Sequence, residues 1–139
     1  MSDAVLTEAQ KSAVFARLRS IPIYATLKFD VLGAEPGKVS MRVPRDPRYD
    51  GIFESFHGGI LMTAADSAAA FAVLTVAGAD AKITTTDMSI RFLAKCLTDV
   101  RVEARVIKAG RTMVPVHVDI YDANEVLVAI AQVAYIRLG

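Results

Sequence analysis

The sequence predicts an α+β fold in which an antiparallel β-sheet wraps around a long central α-helix. Two observations lead to this prediction. The stretch from Gly58 to Ala77 is apolar almost throughout, as in a helix that is buried on all sides. Four stretches in which apolar and polar residues alternate follow it without a linker or a repeat. An apolar helix needs such a sheet to cover it, so residues 1–139 are predicted to form a single domain.

A short amphipathic helix is predicted at the start of the chain, from Thr7 to Arg19. Apolar residues recur there at helical spacing, and Thr7 with Gln10 three residues later resembles a capping box. Ile21-Pro22 is expected to end this helix, because proline interrupts helical hydrogen bonding.

Six strands are predicted around the central helix. The first two cover residues 27–32 and 38–43 and form a hairpin through a turn at residues 35–37, after which a loop rich in Pro, Asp and Gly spans residues 44–56. Gly78 is expected to end the central helix. Alternation with a period of two then predicts four antiparallel strands, over residues 82–92, 100–106, 114–120 and 126–136.

The composition predicts a cytoplasmic protein that associates with itself. Hydrophobic residues make up 53% of a chain without Trp, so some apolar surface is expected to lie against another subunit. The 16 basic and 15 acidic residues are scattered, which argues against nucleic acid or an anionic membrane as a partner. Cys96 stands alone and cannot form an internal disulfide, and Met1 to Ala4 lack the basic start of a signal peptide.

A membrane span is the other interpretation of residues 58–79, where Asp66 is the only charged residue. Ala, Gly and Thr dominate this stretch, and an Asp near its middle costs about 2.5 to 3.5 kcal/mol on insertion scales. A buried helix of a soluble domain fits better, and no membrane association is predicted.

Two features of the central helix indicate chemistry. His57-Gly58-Gly59 precedes it directly, so Gly58 and Gly59 are expected to present bare amides at a helix N-terminus, where they can polarise a carbonyl group. Asp66 is an acid inside an otherwise apolar helix, and such a carboxylate is expected to be protonated or to be held by hydrogen-bond donors, as in many active sites. A permissive turn at the glycines and a purely structural Asp66 are the alternatives.

Helix geometry separates these two features. Gly58 and Asp66 are eight residues apart, which is about 12 Å along one helix, so one small reaction centre cannot use both. If the helices of two subunits pack antiparallel, the Gly58 amide of one faces the Asp66 carboxylate of the other. Function on this hypothesis requires a dimer.

The motifs together resemble the PaaI-like hotdog-fold acyl-CoA thioesterases. The resemblance rests on Phe56-His57-Gly58-Gly59, on Asp66 nine residues after His57, on the segment from Thr85 to Phe92, and on Lys108-Ala109-Gly110-Arg111-Thr112. It covers the chain from about Leu27 to Leu138. It implies the hotdog fold, a homodimer or a dimer of dimers, and a CoA thioester as substrate without any cofactor.

The resemblance also implies roles for single residues. Gly58 matches the oxyanion-binding amide, and Asp66 of the partner subunit matches the nucleophile or the general base. Thr85 matches a hydroxyl that orients the water or the carboxylate. His57 would bond near the thioester, or would only fix the loop. Arg91, Lys108 and Arg111 are expected to bind CoA phosphates, because cations near glycine-containing turns suit phosphate oxygens; simple solvation of these charges is the alternative. The other residues predicted for substrate or CoA binding are Gly59, Gly110 and Thr112.

One position departs from the pattern of the family. Relatives usually carry an Asn about six residues before the His, where this chain has Gly51. Asp50 or Glu54 could substitute for that amide, or the activity could be altered. The missing Asn makes a non-catalytic acyl-CoA binding module one competing hypothesis. A hotdog enoyl-CoA hydratase or dehydratase, whose chemistry pairs a His with an acid in the same groove, is the other.

The remaining reactive side chains are expected to take no part. Two His residues sixty positions apart and one Cys do not have the spacing of a metal site, so no metal is predicted. His117 is expected on the polar face of its strand, and Cys96 has no evident base beside it.

Overall fold

The computed structural model describes residues 5–138, so the expectation about Met1 to Ala4 lies outside the described residues. A 3-10 turn over Pro47–Tyr49 lies in the loop before the central helix. The helices and strands, in chain order, are α1 (Glu8–Ser20), α2 (Pro22–Thr26), β1 (Asp30–Glu35), β2 (Lys38–Val43), α3 (Gly58–Ala77), β3 (Ile83–Phe92), β4 (Val100–Val106), β5 (Met113–Asp122) and β6 (Leu127–Arg137).

The six strands form one sheet in the order β1-β2-β4-β5-β6-β3, and every neighbouring pair is antiparallel. Helix α3 packs against all six strands, so the sheet wraps around it. This arrangement confirms the predicted α+β fold with a central helix and a short N-terminal helix. Strands β1 and β3 are the two edges of the sheet.

Alternation within the strands sets the core. Val100, Val102, Ala104 and Val106 of β4 are all buried against α3, while the residues between them are partly or fully exposed. The same pattern runs through β5, where His117 lies on the outer face as predicted. The sheet therefore has one apolar concave face and one polar face.

Helix α3 is less enclosed than the sequence suggests. Its C-terminal half is buried on all sides, from Phe71 to Thr75. Its N-terminal half keeps a partly open stripe, made of Gly59, Met62, Thr63, Asp66, Ser67 and Ala70. The helix is long and apolar enough to cross a bilayer, but 56% of its most apolar window is buried inside the domain, as in the core helix of a folded protein. The prediction of complete burial is thus wrong for the stripe that carries Asp66.

The segment before β2 shows two further differences. Helix α1 begins with the predicted capping box of Thr7 and Gln10 and ends at Ile21. Pro22 then starts the short helix α2, because proline is also a favoured first residue of a helix. The sequence analysis did not predict this helix. Strand β1 begins at Asp30, three residues later than predicted, because Lys28 ends α2 in a left-handed conformation.

Candidate active site

Two hydroxyl groups hold the carboxylate of Asp66 on the open stripe of α3. The Thr85 hydroxyl donates to Oδ1 at 2.8 Å, and the Tyr135 hydroxyl lies 2.6 Å from the same oxygen. The Tyr135 hydroxyl also lies 2.5 Å from the Asp66 carbonyl oxygen, so its one proton serves both acceptors. The structure thus brings together two predicted residues, Asp66 and Thr85, and adds Tyr135, which the sequence analysis missed.

The pairing of β3 with β6 explains why these two hydroxyl groups meet. Thr85 and Tyr135 are opposite each other in the register, and a β-bulge at Thr86 follows. The bulge lets Thr85 and Met88 face α3 from the same side of the sheet, although they are three positions apart. A tyrosine among the small inward-facing aliphatic residues of β6 is the signal that could have pointed to Tyr135.

The second carboxylate oxygen of Asp66, Oδ2, is open. Both hydroxyl groups bind Oδ1, and no residue within 5–138 donates to Oδ2. No buried side-chain oxygen or nitrogen in this range lacks a hydrogen-bond partner, so Oδ2 is accessible rather than buried. One oxygen is therefore held in place while the other can meet a reacting group.

Tyr135 acts as a permanent donor to this carboxylate. Its side chain is 3% exposed. Burial, together with the hydrogen bond to Asp66, raises the pKa of Tyr135 far above its ordinary range. The phenol consequently keeps its proton at neutral pH, and Oδ1 always has a donor beside it.

The start of α3 leaves one free amide. The ring of His57 caps the helix, because Nδ1 accepts from the Gly59 N–H at 2.9 Å, and a neutral ring therefore carries its proton on Nε2. The N–H groups of Ile60 and Leu61 donate to the His57 carbonyl oxygen. The N–H of Gly58 therefore has no acceptor in the described part of the chain. The prediction of two bare amides is wrong for Gly59, and the capping role of His57 is present.

Both glycines also lie against a side-chain ring of their own subunit. A Cβ on Gly58 would lie 3.1 Å from Cζ of Phe92, and a Cβ on Gly59 would lie 3.0 Å from Cε1 of His57. These distances are shorter than ordinary carbon contacts. A Cβ at either position would therefore push one of the two rings aside slightly, and glycine leaves room for both.

The loop before α3 contains Asp50 and Glu54, the two acids that could substitute for the Asn that is missing at Gly51. The Asp50 carboxylate accepts from Arg45 Nε at 3.1 Å and from Nη2 at 2.5 Å, and both side chains are largely buried. Asp50 is therefore occupied. The side chain of Glu54 is exposed and has no hydrogen-bond partner within residues 5–138. A Cβ on Gly51 would make ordinary contacts with His57, at 3.8 Å or more, so this position has room for a side chain.

The predicted CoA-binding residues lie in three places: Gly59 at the start of α3, Arg91 on β3, and the others in the β4–β5 turn. Arg111 of the β4–β5 turn lines an open cavity of about 620 Å³ together with Lys82 and Arg137. Arg91 lines a different pocket, on the outer face of the sheet, beside His117. The structure therefore does not bring Arg91 to Arg111.

The other predicted residues of the β4–β5 turn lie at its surface. Lys108 and Thr112 are exposed, and a Cβ on Gly110 would lie 2.3 Å from the Met113 carbonyl oxygen, so this turn requires glycine. The turn is tied to the end of β6, because the Arg137 backbone N–H donates to the Thr112 carbonyl oxygen at 2.8 Å. The cations of the turn and of β6 consequently form one surface.

Reactive side chains elsewhere are engaged in local contacts. His117 Nε2 lies 2.8 Å from Asp119 Oδ1 on the outer face of the sheet. Cys96 is buried, and this burial raises the pKa of its thiol. Within residues 5–138 no three His, Cys, Asp or Glu side chains cluster as a metal site would require. That no metal takes part stays a prediction.

Comparison with known proteins finds one relative by sequence and several of the same fold. A protein of Saccharolobus solfataricus described as a candidate esterase is 29% identical over 103 residues, which are 73% of each chain. A thioesterase family protein from Silicibacter pomeroyi has the same fold with a TM-score of 0.86 at 23% identity, covering 93% of this chain and 98% of that one. The PaaI protein of E. coli, from the phenylacetic acid degradation operon, gives 0.83 at 18% identity, covering 94% and 96%.

The sequence profile of the thioesterase superfamily matches residues 53–129. The matched region contains the start of α3, Asp66, Thr85 and the β4–β5 turn, and the solved relatives confirm the hotdog fold. Because the match covers more than half of the chain, this protein belongs to the thioesterase superfamily, whose general activity is the hydrolysis of thioesters.

Proposed function

We propose that the protein hydrolyses acyl-CoA thioesters at a site built by two subunits. The observation that carries the proposal is the Asp66 carboxylate, which two hydroxyl groups hold at Oδ1 while Oδ2 stays open. A carboxylate with one oxygen held by two donors and the other open, on an otherwise apolar helix, supports a chemical role.

Three features support a dimer. Gly58 and Asp66 are separated by about 12 Å on one helix, so a single subunit cannot bring both to one carbonyl group. The stripe of α3 that carries Asp66 is open, and the edge strand β3 offers ten residues for pairing with a second copy. Ile52 and Phe53, in the loop before α3, are 91% and 76% exposed, which is apolar surface that association would cover.

The chemistry follows from the positions of the two groups. The Gly58 N–H of one subunit binds the thioester carbonyl oxygen and stabilises the negative charge that develops on it. Oδ2 of Asp66 in the other subunit attacks the carbonyl carbon, or removes a proton from the water that does. In the first route the carbon–sulfur bond breaks and an acyl–Asp66 anhydride forms, which water then hydrolyses, restoring the carboxylate and supplying the proton of the CoA thiol. In the second route water adds to the carbonyl carbon, the carbon–sulfur bond breaks, and the proton taken up by Asp66 passes to the leaving sulfur. Neither route needs a metal or a cofactor.

The cavity lined by Lys82, Arg111 and Arg137 is the proposed site for the CoA phosphates. Three cations and one acid, Asp80, line it, and guanidinium groups suit phosphate oxygens. Arg137 lies two residues after Tyr135 on β6. The CoA moiety therefore extends from the thioester along the subunit that supplies Asp66.

The variant Asp66→Asn tests the proposal. The amide oxygen can still accept from Thr85 and Tyr135, whereas the amide nitrogen in place of Oδ2 can neither attack nor accept a proton. We expect kcat for acyl-CoA hydrolysis to fall about a thousandfold or more, while the Kd for CoA changes little. Steady-state kinetics over short, long and aromatic acyl-CoAs, with calorimetry of CoA binding, measures both quantities.

Asp30→Asn is the matched control, because Asp30 is an exposed acid at the start of β1, far along the chain from the site. It is expected to keep the wild-type rate. Undiminished turnover by Asp66→Asn, or hydration of an enoyl-CoA by a wild-type protein that hydrolyses no thioester, would exclude the proposed reaction. The mass of the oligomer in the same sample tests the dimer.

A further inference from the structure

A second cavity, of about 320 Å³, opens directly beside His57. It lies between the end of α2, the loop before α3 and the first turn of α3, and it is lined by His57, the residue directly before Gly58. Leu27, Val43, Phe56 and Ile60 form its apolar wall. Its volume is at the lower end of the range for small-molecule pockets, which is about 300 to 1,000 Å³. Under the proposed function, this cavity accommodates a short acyl group, and the CoA moiety extends from the thioester in the opposite direction.

The polar wall of this cavity carries one cation more than it carries acids. Arg45 is bonded to Asp50, and Arg48 is bonded to Asp46 at 2.7 Å. The hydrogen bonds from Arg48 lower the pKa of Asp46 to about 2, so this acid is ionised at neutral pH and offsets Arg48. The fifth charged residue of the wall is a lysine.

That lysine is Lys28, an exposed side chain that makes no hydrogen bond or ion pair within residues 5–138, although it lies close enough to Asp46 to help lower the pKa of that carboxyl. Its backbone has a φ of 56°, a left-handed conformation that side chains other than glycine adopt at a cost. Lys28 follows α2 in a Schellman motif, since the Phe29 N–H donates to the Tyr24 carbonyl oxygen and the Lys28 N–H donates to that of Ala25. Glycine is the usual residue at this position, so the backbone does not favour a lysine here, where its side chain lines the cavity.

We propose that Lys28 binds an anionic end of the acyl group, so that the enzyme prefers short acyl-CoAs that end in a carboxylate. The apolar wall next to His57 holds the methylene groups, and the ammonium group meets the carboxylate at the rim. This inference rests on the proposed function, because it assigns the acyl side of the same site. A phosphate of CoA is the other anion that could reach Lys28, and the experiment separates the two.

The test compares wild type and Lys28→Gly on glutaryl and hexanoyl thioesters, each prepared with CoA and with N-acetylcysteamine, which has no phosphate. Lys28→Gly removes the charge at a position where glycine suits the backbone, so the fold is expected to persist. We expect kcat/KM for both glutaryl thioesters to fall about tenfold, and kcat/KM for both hexanoyl thioesters to change less than about twofold. Lys28→Arg should retain the preference for glutaryl, and Lys38→Gln, at an exposed lysine of β2, should match wild type.

Four results would overturn the inference. Equal loss on both CoA thioesters, with none on the N-acetylcysteamine thioesters, would assign Lys28 to a CoA phosphate. An unchanged preference in Lys28→Gly would show that Lys28 binds no anion of the substrate. If wild type hydrolyses hexanoyl-CoA without preferring glutaryl-CoA, the proposed function stands and the acyl preference fails, whereas hydrolysis of no thioester at all rejects both.

Discussion

At the level of single residues, the site depends on how Asp66 is held. Both donors bind Oδ1, so they fix the direction in which Oδ2 points without neutralising it. Thr85 and Tyr135 are therefore positioning residues, and their loss should change kcat more than substrate binding.

Thr85→Val tests this positioning role. Valine keeps the β-branched shape and removes the hydroxyl that donates to Oδ1 at 2.8 Å. We expect kcat to fall about tenfold with KM nearly unchanged. Thr85→Ser keeps a hydroxyl and should recover most of the rate in the same assay. Equal losses in the two variants would show that side-chain packing, and not the hydrogen bond, is what matters.

Tyr135→Phe should change how stability depends on pH. The folded protein has the raised pKa, so below pH of about 10 both folded and unfolded chains keep the phenol proton. Above that pH the unfolded chain releases it and the folded chain does not, so this residue lowers the free energy of unfolding by up to about 1.4 kcal/mol per pH unit. In Tyr135→Phe, this decrease in the free energy of unfolding with rising pH is absent.

Urea unfolding of both proteins at a series of pH values measures the effect. At neutral pH the variant should be less stable, by about 1 to 2 kcal/mol, because Oδ1 loses a buried donor. Between about pH 10 and 11.5 the two curves should converge. Curves that stay parallel would mean that Tyr135 ionises in the folded protein as readily as in the unfolded chain.

At the level of helices and strands, the left-handed backbone of Lys28 at the end of α2 lowers the free energy of unfolding. Lys28→Gly relieves the left-handed backbone, and we expect the free energy of unfolding to rise by about 1 kcal/mol. Lys28→Ala is the matched comparison, because it removes the same charge and keeps a Cβ. Thermal unfolding should rank glycine above alanine, and equal melting temperatures would show that the conformation costs nothing.

Elements with strong local signals were predicted closely. The bounds of α3 and β2 were predicted to the residue, because glycines and a run of apolar or alternating residues mark them. The start of β1 was wrong because its signal, a left-handed residue, is a lysine here instead of a glycine. Helix α2 was missed because five residues are too few to show a helical period.

The site could be predicted only in part, for a related reason. Asp66 stands out in the sequence because its neighbours are apolar. Tyr135 reaches it across 69 positions, through the bulged register of β3 with β6, which alternation cannot reveal. The ring of His57 takes the Gly59 amide, and this depends on a rotamer.

At the level of the whole molecule, the division of the site between two ends of one helix is what makes assembly part of the chemistry. An isolated subunit has an oxyanion-binding amide and a carboxylate, but about 12 Å separates them. Two antiparallel copies of α3 would bring each group to the complementary group of the other copy, giving two equivalent sites per dimer.

Mixing two inactive variants tests this division directly. Gly58→Pro removes the free N–H at a helix position that accepts proline, and Gly58→Ala, which adds a similar Cβ beside Phe92 and keeps the N–H, is its control. Gly58→Pro should lose about a hundredfold or more in kcat. When it is unfolded and refolded with an equal amount of Asp66→Asn, half of the dimers are mixed and each has one intact site, so roughly a quarter of wild-type activity should return. If native mass spectrometry shows mixed dimers and no activity returns, both groups act within one subunit, and the arrangement proposed for the dimer is wrong.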